Sequence, residues 1–260
     1  MSTALDKAVL TISVDLDWAG ADTRIAGQRS FEAMTDRLLE VCARHEVPAT
    51  WAISDPTAAA AQRIMARDRR HEIALWIDPP DTRLTSSPRE ALHDLSARIA
   101  AARLAGLALT TLALASDQAA VIGPRADREG ITAMRHAALD EPSRTPLQPH
   151  RLRFGPWSFP LELSMPGDQR WIPGGGNGRA ARRAIARAIA QRGLVQLAVD
   201  AQRLVARGYA AQRVLDRVLA QAVWFQRQGS LDIATIGSTA AQLSARCESV
   251  PSRSILRPAA

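Results

Sequence analysis

The sequence predicts an α/β fold built on a mainly parallel sheet or barrel, and three observations carry that prediction. Short β-branched runs alternate with helix-periodic segments from one end of the chain to the other. With 260 residues, 47% of them hydrophobic, the chain is long enough for one large α/β domain or two small ones. No internal repeat divides it.

The elements follow in order. "AVLTISVDLDW" is a β-branched run that ends in acids. "FEAMTDRLLEVCARH" places Phe31, Met34, Leu38, Leu39 and Val41 at helical intervals. "VPATWAIS" is a second strand, introduced by Pro48; "TAAAAQRIMARDRR" is a helix and "HEIALWI" a third strand. In "SPREALHDLSARIAAARLAG", Ser87 suits a helix cap, Pro88 the first turn and Gly106 the end. "LALTTLALA" and "GITAMR" read as the fourth and fifth strands. Residues 141–178 are rich in Pro and Gly yet keep Phe154, Trp157, Phe159 and Trp171, more aromatics than a disordered linker carries. They read as an ordered loop excursion covering the mouth of the fold. Helix "RAARRAIARAIAQR", strand "GLVQLAVD", a long helix around "AAQRVLDRVLAQAVWFQRQG", strand "LDIATI" and helix "STAAQLSARC" complete the alternation. One domain is expected over 1–248, with 249–260 as a frayed tail.

Composition narrows the function classes. No window of about 18 uninterrupted apolar residues exists, so no membrane span is expected. The first residues, "MSTALDKAVLTISVD", are too polar for a secretory signal. Cys42 and Cys247 lie far apart without metal-ligand spacing, and nothing asks for an oxidising compartment; a cytoplasmic location is expected. Net charge is +7, and Lys7 is the only lysine. Arginine suits phosphate, but the bias also fits a base composition that favours Arg and Ala codons. The arginines read as spread among 26 acidic residues with few interleaved aromatics, so nucleic acid is not an expected partner.

Four phrases in order, "TISVDLDW", "VPATWAI", "HEIALW" and "LDIATIGSTAAQL", resemble the polysaccharide deacetylase family, carbohydrate esterase family four. The resemblance spans nearly the whole chain. It implies a single-domain, distorted parallel (β/α) barrel of about seven strands. It also implies hydrolysis of an acetyl group on a sugar, in which one Asp and two His hold a divalent metal and another Asp acts as base. By that resemblance Asp15 matches the base. The metal-binding Asp maps to Asp17 on the "DLDW" variant, or to Leu16, which cannot ligate, on the stricter phrase. Both acids end a parallel strand, where barrel enzymes place their chemistry; the plainer reading is strand capping or pairing with arginine.

His71 matches a histidine that is not a ligand in the family. The two ligand positions fall on Trp76 and Pro80, neither of which can bind a metal. His93 lies within the next helix, and His45 and His136 read as helical or loop-borne surface positions. The family's fourth-strand arginine phrase is replaced by "TTLALASDQ", with Asp117 and Gln118. Its late-strand histidine is replaced by "GLVQLAVDA", with Gln196 and Asp200. The chain therefore reads as a divergent member with a degenerate metal motif, no expected cofactor and no expected metal. His150 or Asp78 is the candidate to rebuild a ligand set.

Other features complete the candidate site. "WIPGGGNGRAARR" sets a Gly-rich loop before a helix carrying Arg179, Arg182 and Arg183, which reads first as a plain surface loop and, as the alternative, as a phosphate site. Trp18, Trp51, Trp76, Trp157 and Trp171 form an aromatic set that suits stacking on a sugar face or core filling; Trp224, within a helix, reads as core. No Ser-His-Asp constellation is recognisable.

The expected function is thus deacetylase-like action on a small glycosylated molecule, nucleotide- or lipid-linked. Asp15 and Asp17 would perform acid–base chemistry in place of the metal, with Trp18, Trp76, Asp78, Asp117, Trp157 and Arg179 holding substrate. The competing expectation is a non-catalytic homologue that binds a sugar or a partner enzyme. A homo-oligomer is compatible with either.

Overall fold

A computed structural model of the chain describes residues 5–16, 25–77, 88–114, 119–136, 148–152, 155–161, 163–166 and 176–249. Its strands are β1 (Ala8–Leu16), β2 (Thr50–Ile53), β3 (Glu72–Ile77), β4 (Thr111–Leu114), β5 (Ala133–His136), β6 (His150–Arg151), β7 (Trp157–Pro160), β8 (Leu163–Met165), β9 (Leu194–Asp200) and β10 (Leu231–Ala234). Its helices are α1 (Ile25–His45), α2 (Ala59–Arg67), α3 (Pro88–Leu104), α4 (Ala119–Arg128), α5 (Gly176–Gln191), α6 (Ala201–Arg227) and α7 (Ile236–Ser249).

The strands form one curled sheet in the order β6-β7-β5-β4-β3-β2-β1-β9-β8, and β10 pairs with the first half of β1. Every pairing is parallel except the short β6–β7 contact. This is the distorted (β/α) barrel that the resemblance implies, as a single domain.

Period-two alternation decides which side chains meet which layer. Leu10, Ile12, Val14 and Leu16 of β1 join Ile53, Leu75 and Leu112 on the outer face, against Leu38, Ile64, Ile99 and Leu215 of the helices. The intervening residues of β1 face inward. Lowest in the interior, Val9, Ala133, Trp157 and Phe159 pack against Ile236, Ala240 and Leu243 of α7. Helix α7 therefore plugs one end of the curl and leaves the C-terminal strand ends for the mouth.

The structure departs from the sequence reading at several places. Residues 141–178 contribute β7 and β8 to the barrel wall, paired with β5 and β9, so much of the supposed excursion is sheet. Whether its remaining residues cover the mouth lies outside the described residues. Helix α4 is additional: Gly123 and Pro124 inside it mask its periodicity. His136 is buried on β5, with Nε2 2.6 Å from Ser158 Oγ, not on a helix or surface loop. Trp224 is 56% exposed, not core.

Candidate functional site

Inward-facing positions of β1 read Thr11, Ser13, Asp15 from the interior toward the mouth, because these alternate with the outward Ile12, Val14 and Leu16. Asp15 sits in register with Ala52 of β2 and Asp200 of β9. From the far side of the curl, Arg135 of β5 reaches Asp15. Its Nη1 lies 2.8 Å from Oδ1 and donates to Oδ2 at 2.9 Å, and it also donates to Ser13 Oγ at 3.0 Å. The guanidinium stacks over the Trp76 ring, 5.3 Å from its centroid. Trp76 rests on an alanine layer, Ala52, Ala74 and Ala113, whose small side chains leave room for the ring. Arg98 of α3 donates to the carbonyls of Ser54 and Trp76 and so ties together the C-terminal ends of β2 and β3.

Burial sets the electrostatics. Arg135 is 3% exposed at its side chain and Asp15 16%. Removal from water pushes the Asp15 carboxyl above the usual carboxylate range; Arg135 opposes that shift and the nearby charge of Asp200 adds to it. Asp200 caps α6, accepting from the Arg203 backbone N–H at 2.8 Å. Within the pair, Asp15 Oδ1 and Arg135 Nε, and next to it Thr11 Oγ1 and both amide atoms of Gln196, are buried without a hydrogen-bond partner among the described residues. Thr11 and Gln196 are register partners. Buried polar atoms of this kind are normally met by ordered water or by a ligand.

The "HEIALW" phrase has a structural explanation at its start. His71 Nδ1 accepts the Ala49 backbone N–H at 3.1 Å, the ring packs edge-on against Trp51, and burial lowers its pKa. Glu72 accepts from Thr50 Oγ1 at 2.8 Å, from Thr110 and Thr111, and from the Gly237 N–H at 2.9 Å, so it pins α7 to three strands.

The other expected site residues scatter. Trp157 lies in the layer against α7, where its indole donates to Ser244 Oγ at 2.9 Å. Arg179 is exposed in the first turn of α5. Asp17, Trp18, Asp78, Pro80 and Asp117 lie outside the described residues. His150 is exposed on β6 and His93 on α3. Among the described residues no three His, Cys, Asp or Glu side chains converge. At one position where the resemblance would place a ligand, Trp76 offers its ring face to a guanidinium. The described donor set around Asp15, one carboxylate paired with a guanidinium, does not fit a metal. Arg135 and Ser13 were not singled out from sequence, because the phrase "AMRH" carries no motif and the contact exists only once β5 curls opposite β1.

No protein-family model matches the chain, and no curated protein matches it in sequence. Solved structures do share its fold. A candidate polysaccharide deacetylase from Mycobacterium smegmatis superposes with a TM-score of 0.66 at 17% identity, over 100% of this chain and 98% of that one. The allantoinase PuuE superposes with a TM-score of 0.64 at 15% identity, over 92% of each chain. A mutant, with restored enzymatic activity, of a CE4-family pseudoenzyme from Bacillus anthracis gives a TM-score of 0.53 at 15% identity, over 90% of this chain and 68% of that one.

Proposed function

We propose that this chain is a deacetylase-like hydrolase of a small glycosylated molecule, with the Asp15–Arg135 pair at its reacting centre. The observation that carries the reading is a largely buried carboxylate with a raised pKa, at the C-terminal end of a barrel strand, held by one guanidinium. A carboxyl of that kind takes a proton from water attacking an acyl carbon and returns it to the leaving group. Arg135 holds Asp15 in place and supplies positive charge where the acyl oxygen becomes negative. Trp76, fixed by Arg98 and stacked under Arg135, is the described aromatic wall best placed for a sugar face. Asp17, Trp18, Asp78, Asp117 and Arg179 belong to the same proposal as further substrate or acid–base groups of the mouth.

A second reading has an observation of its own: Arg135 forms a close ion pair with Asp15, donating to Oδ2, as a purely structural pair would. The chain would then bind a sugar or a partner enzyme without turnover. Replacing Asp15 with Asn separates the two. Acetate release from N- and O-acetylated glycosides, including nucleotide-linked ones, is measured alongside binding by calorimetry. Loss of turnover with binding retained supports the hydrolase. Unchanged turnover in the variant removes Asp15 from the chemistry. Saturable binding with no acetate released by the native chain favours the second reading.

A further inference from the structure

The positive charge of this protein is not spread over its surface. Residues 176–227, which form α5, β9 and α6, hold ten arginines against two aspartates, Asp200 and Asp216, a net +8. The whole chain totals +7, so the remaining 208 residues together sum to −1. All ten arginines are exposed. The two acids are already engaged: Asp200 with Arg203 at 3.1 Å, and Asp216 with Arg44 and His45 of α1 at 3.0 and 2.9 Å. Elsewhere arginines meet acids of their own neighbourhood, as Arg63 meets Glu32 and Asp36, and Arg125 meets Glu129.

The two helices form one surface. A Cβ on Gly178 would stand 2.9 Å from Val214 Cγ1, which shows how closely the start of α5 approaches the middle of α6. Beyond the break at Gly208 (φ 68°, ψ −161°), Tyr209, Arg213, Arg217, Ala220 and Trp224 fall on one exposed helical stripe. Tyr209 is 67% and Trp224 56% exposed, and the Arg213 guanidinium lies 5.9 Å above the Tyr209 ring. These are two of the four large hydrophobic side chains exposed among the described residues.

We infer that the α5–α6 face docks this protein on an anionic membrane surface, with arginines on phospholipid headgroups and Trp224 and Tyr209 at the interface. Charge complementarity selects an anionic partner. Amphipathic aromatics beside clustered basic residues are what an anionic bilayer surface attracts. No helix among the described residues is long and apolar enough to cross a membrane, so the contact is peripheral.

Flotation of the full chain with vesicles of phosphatidylcholine alone, and of phosphatidylcholine mixed with phosphatidylglycerol, tests it. Binding is expected only to the mixed vesicles and is released at high salt. Each surface arginine contributes about fivefold to partitioning, so R183Q/R192Q/R213Q/R217Q is expected to weaken it by about two orders of magnitude or more. A control, R67Q/R69Q/R128Q/R151Q, removes the same charge from exposed positions elsewhere and is expected to bind nearly as well as the native chain. W224A should weaken binding to mixed vesicles at unchanged charge. Equal losses in the two quadruple variants, or no binding to mixed vesicles, overturn the inference. So does tighter binding to an RNA or DNA oligonucleotide than to the vesicles. Circular dichroism melts of each variant establish that the fold is retained.

Discussion

Arg135 on β5 spans the concave face of the barrel to meet Asp15 on β1, 120 residues earlier in the chain, with Nη1 2.8 Å from one carboxylate oxygen and 2.9 Å from the other. Each charge is the other's compensation in a site that excludes most water. Removing one alone is expected to cost far more than removing both. R135M should destabilise the protein by about 3–5 kcal/mol, because it leaves a buried carboxylate without a partner. Adding D15N to R135M should recover much of that loss. Urea unfolding of the two single variants and the double variant gives the coupling; strictly additive losses would show that the pair is not energetically linked.

Two buried groups should drive stability with opposite dependence on pH. His71 has a folded-state pKa lowered by burial, below the ordinary imidazole value of 6.5. Its contribution is complete above that value and drains as pH falls below it, since the unfolded chain takes up the proton more readily. Asp15 has a folded-state pKa raised above 3.8, chiefly by burial. Its penalty is absent below 3.8 and sets in as pH rises through the folded pKa. Unfolding free energies measured from about pH 4 to about pH 7 should therefore lose the rising component in H71N and the falling component in D15N. A profile unaltered in both variants would show that neither group is shifted.

Thiol chemistry should distinguish the two cysteines. Cys42 is 4% exposed and packs in the main core, where burial, aided by the charge of Asp68, pushes its thiol up to about 12. Cys247 is exposed on α7. Native protein treated with a disulfide reagent should release about one equivalent rapidly and a second only after unfolding. Two rapid equivalents would place Cys42 outside the core.

How much of this was legible in the sequence depends on the range of the information. The alternation of strands and helices is local, and it led to the right fold class. Asp15 was also legible, because an acid ending a β-branched run is a local signal. Its partner was not. Arg135 acquires its role from strand order, which places β5 opposite β1, and nothing within "AMRH" encodes that. Strands β7 and β8 were hidden by flanking prolines: Pro156 precedes β7, Pro160 ends it and Pro166 follows β8. Trp224 illustrates the reverse failure. A tryptophan at a helical position reads as core, but only packing decides which helix face is covered, and here Leu215, Val218, Leu219 and Ala222 face inward instead.

Glu72 and Gly237 give the sharpest test of what holds the barrel closed at the end opposite the mouth. The carboxylate of Glu72 gathers the hydroxyls of Thr50, Thr110 and Thr111 and the backbone N–H of Gly237 in the first turn of α7. A carboxylate at a helix N-terminus also meets the positive end of the helix dipole. Only glycine fits at 237: an added Cβ would fall inside contact distance of Glu72 Oε1 and stand 2.9 Å from Thr110 Oγ1. G237A should therefore force the carboxylate out of its cradle and destabilise the protein. E72A should cost about 1–3 kcal/mol for each buried donor left without an acceptor. In the double variant the closest clash is gone with the carboxylate, and only the Thr110 hydroxyl, free to turn once Glu72 no longer holds it, still has to give way. The combined loss should fall well short of the sum of the single losses, by an amount readable in thermal melts. If G237A melts like the native chain, the close approach of α7 to Glu72 is wrong, and with it the account of how the barrel end is plugged.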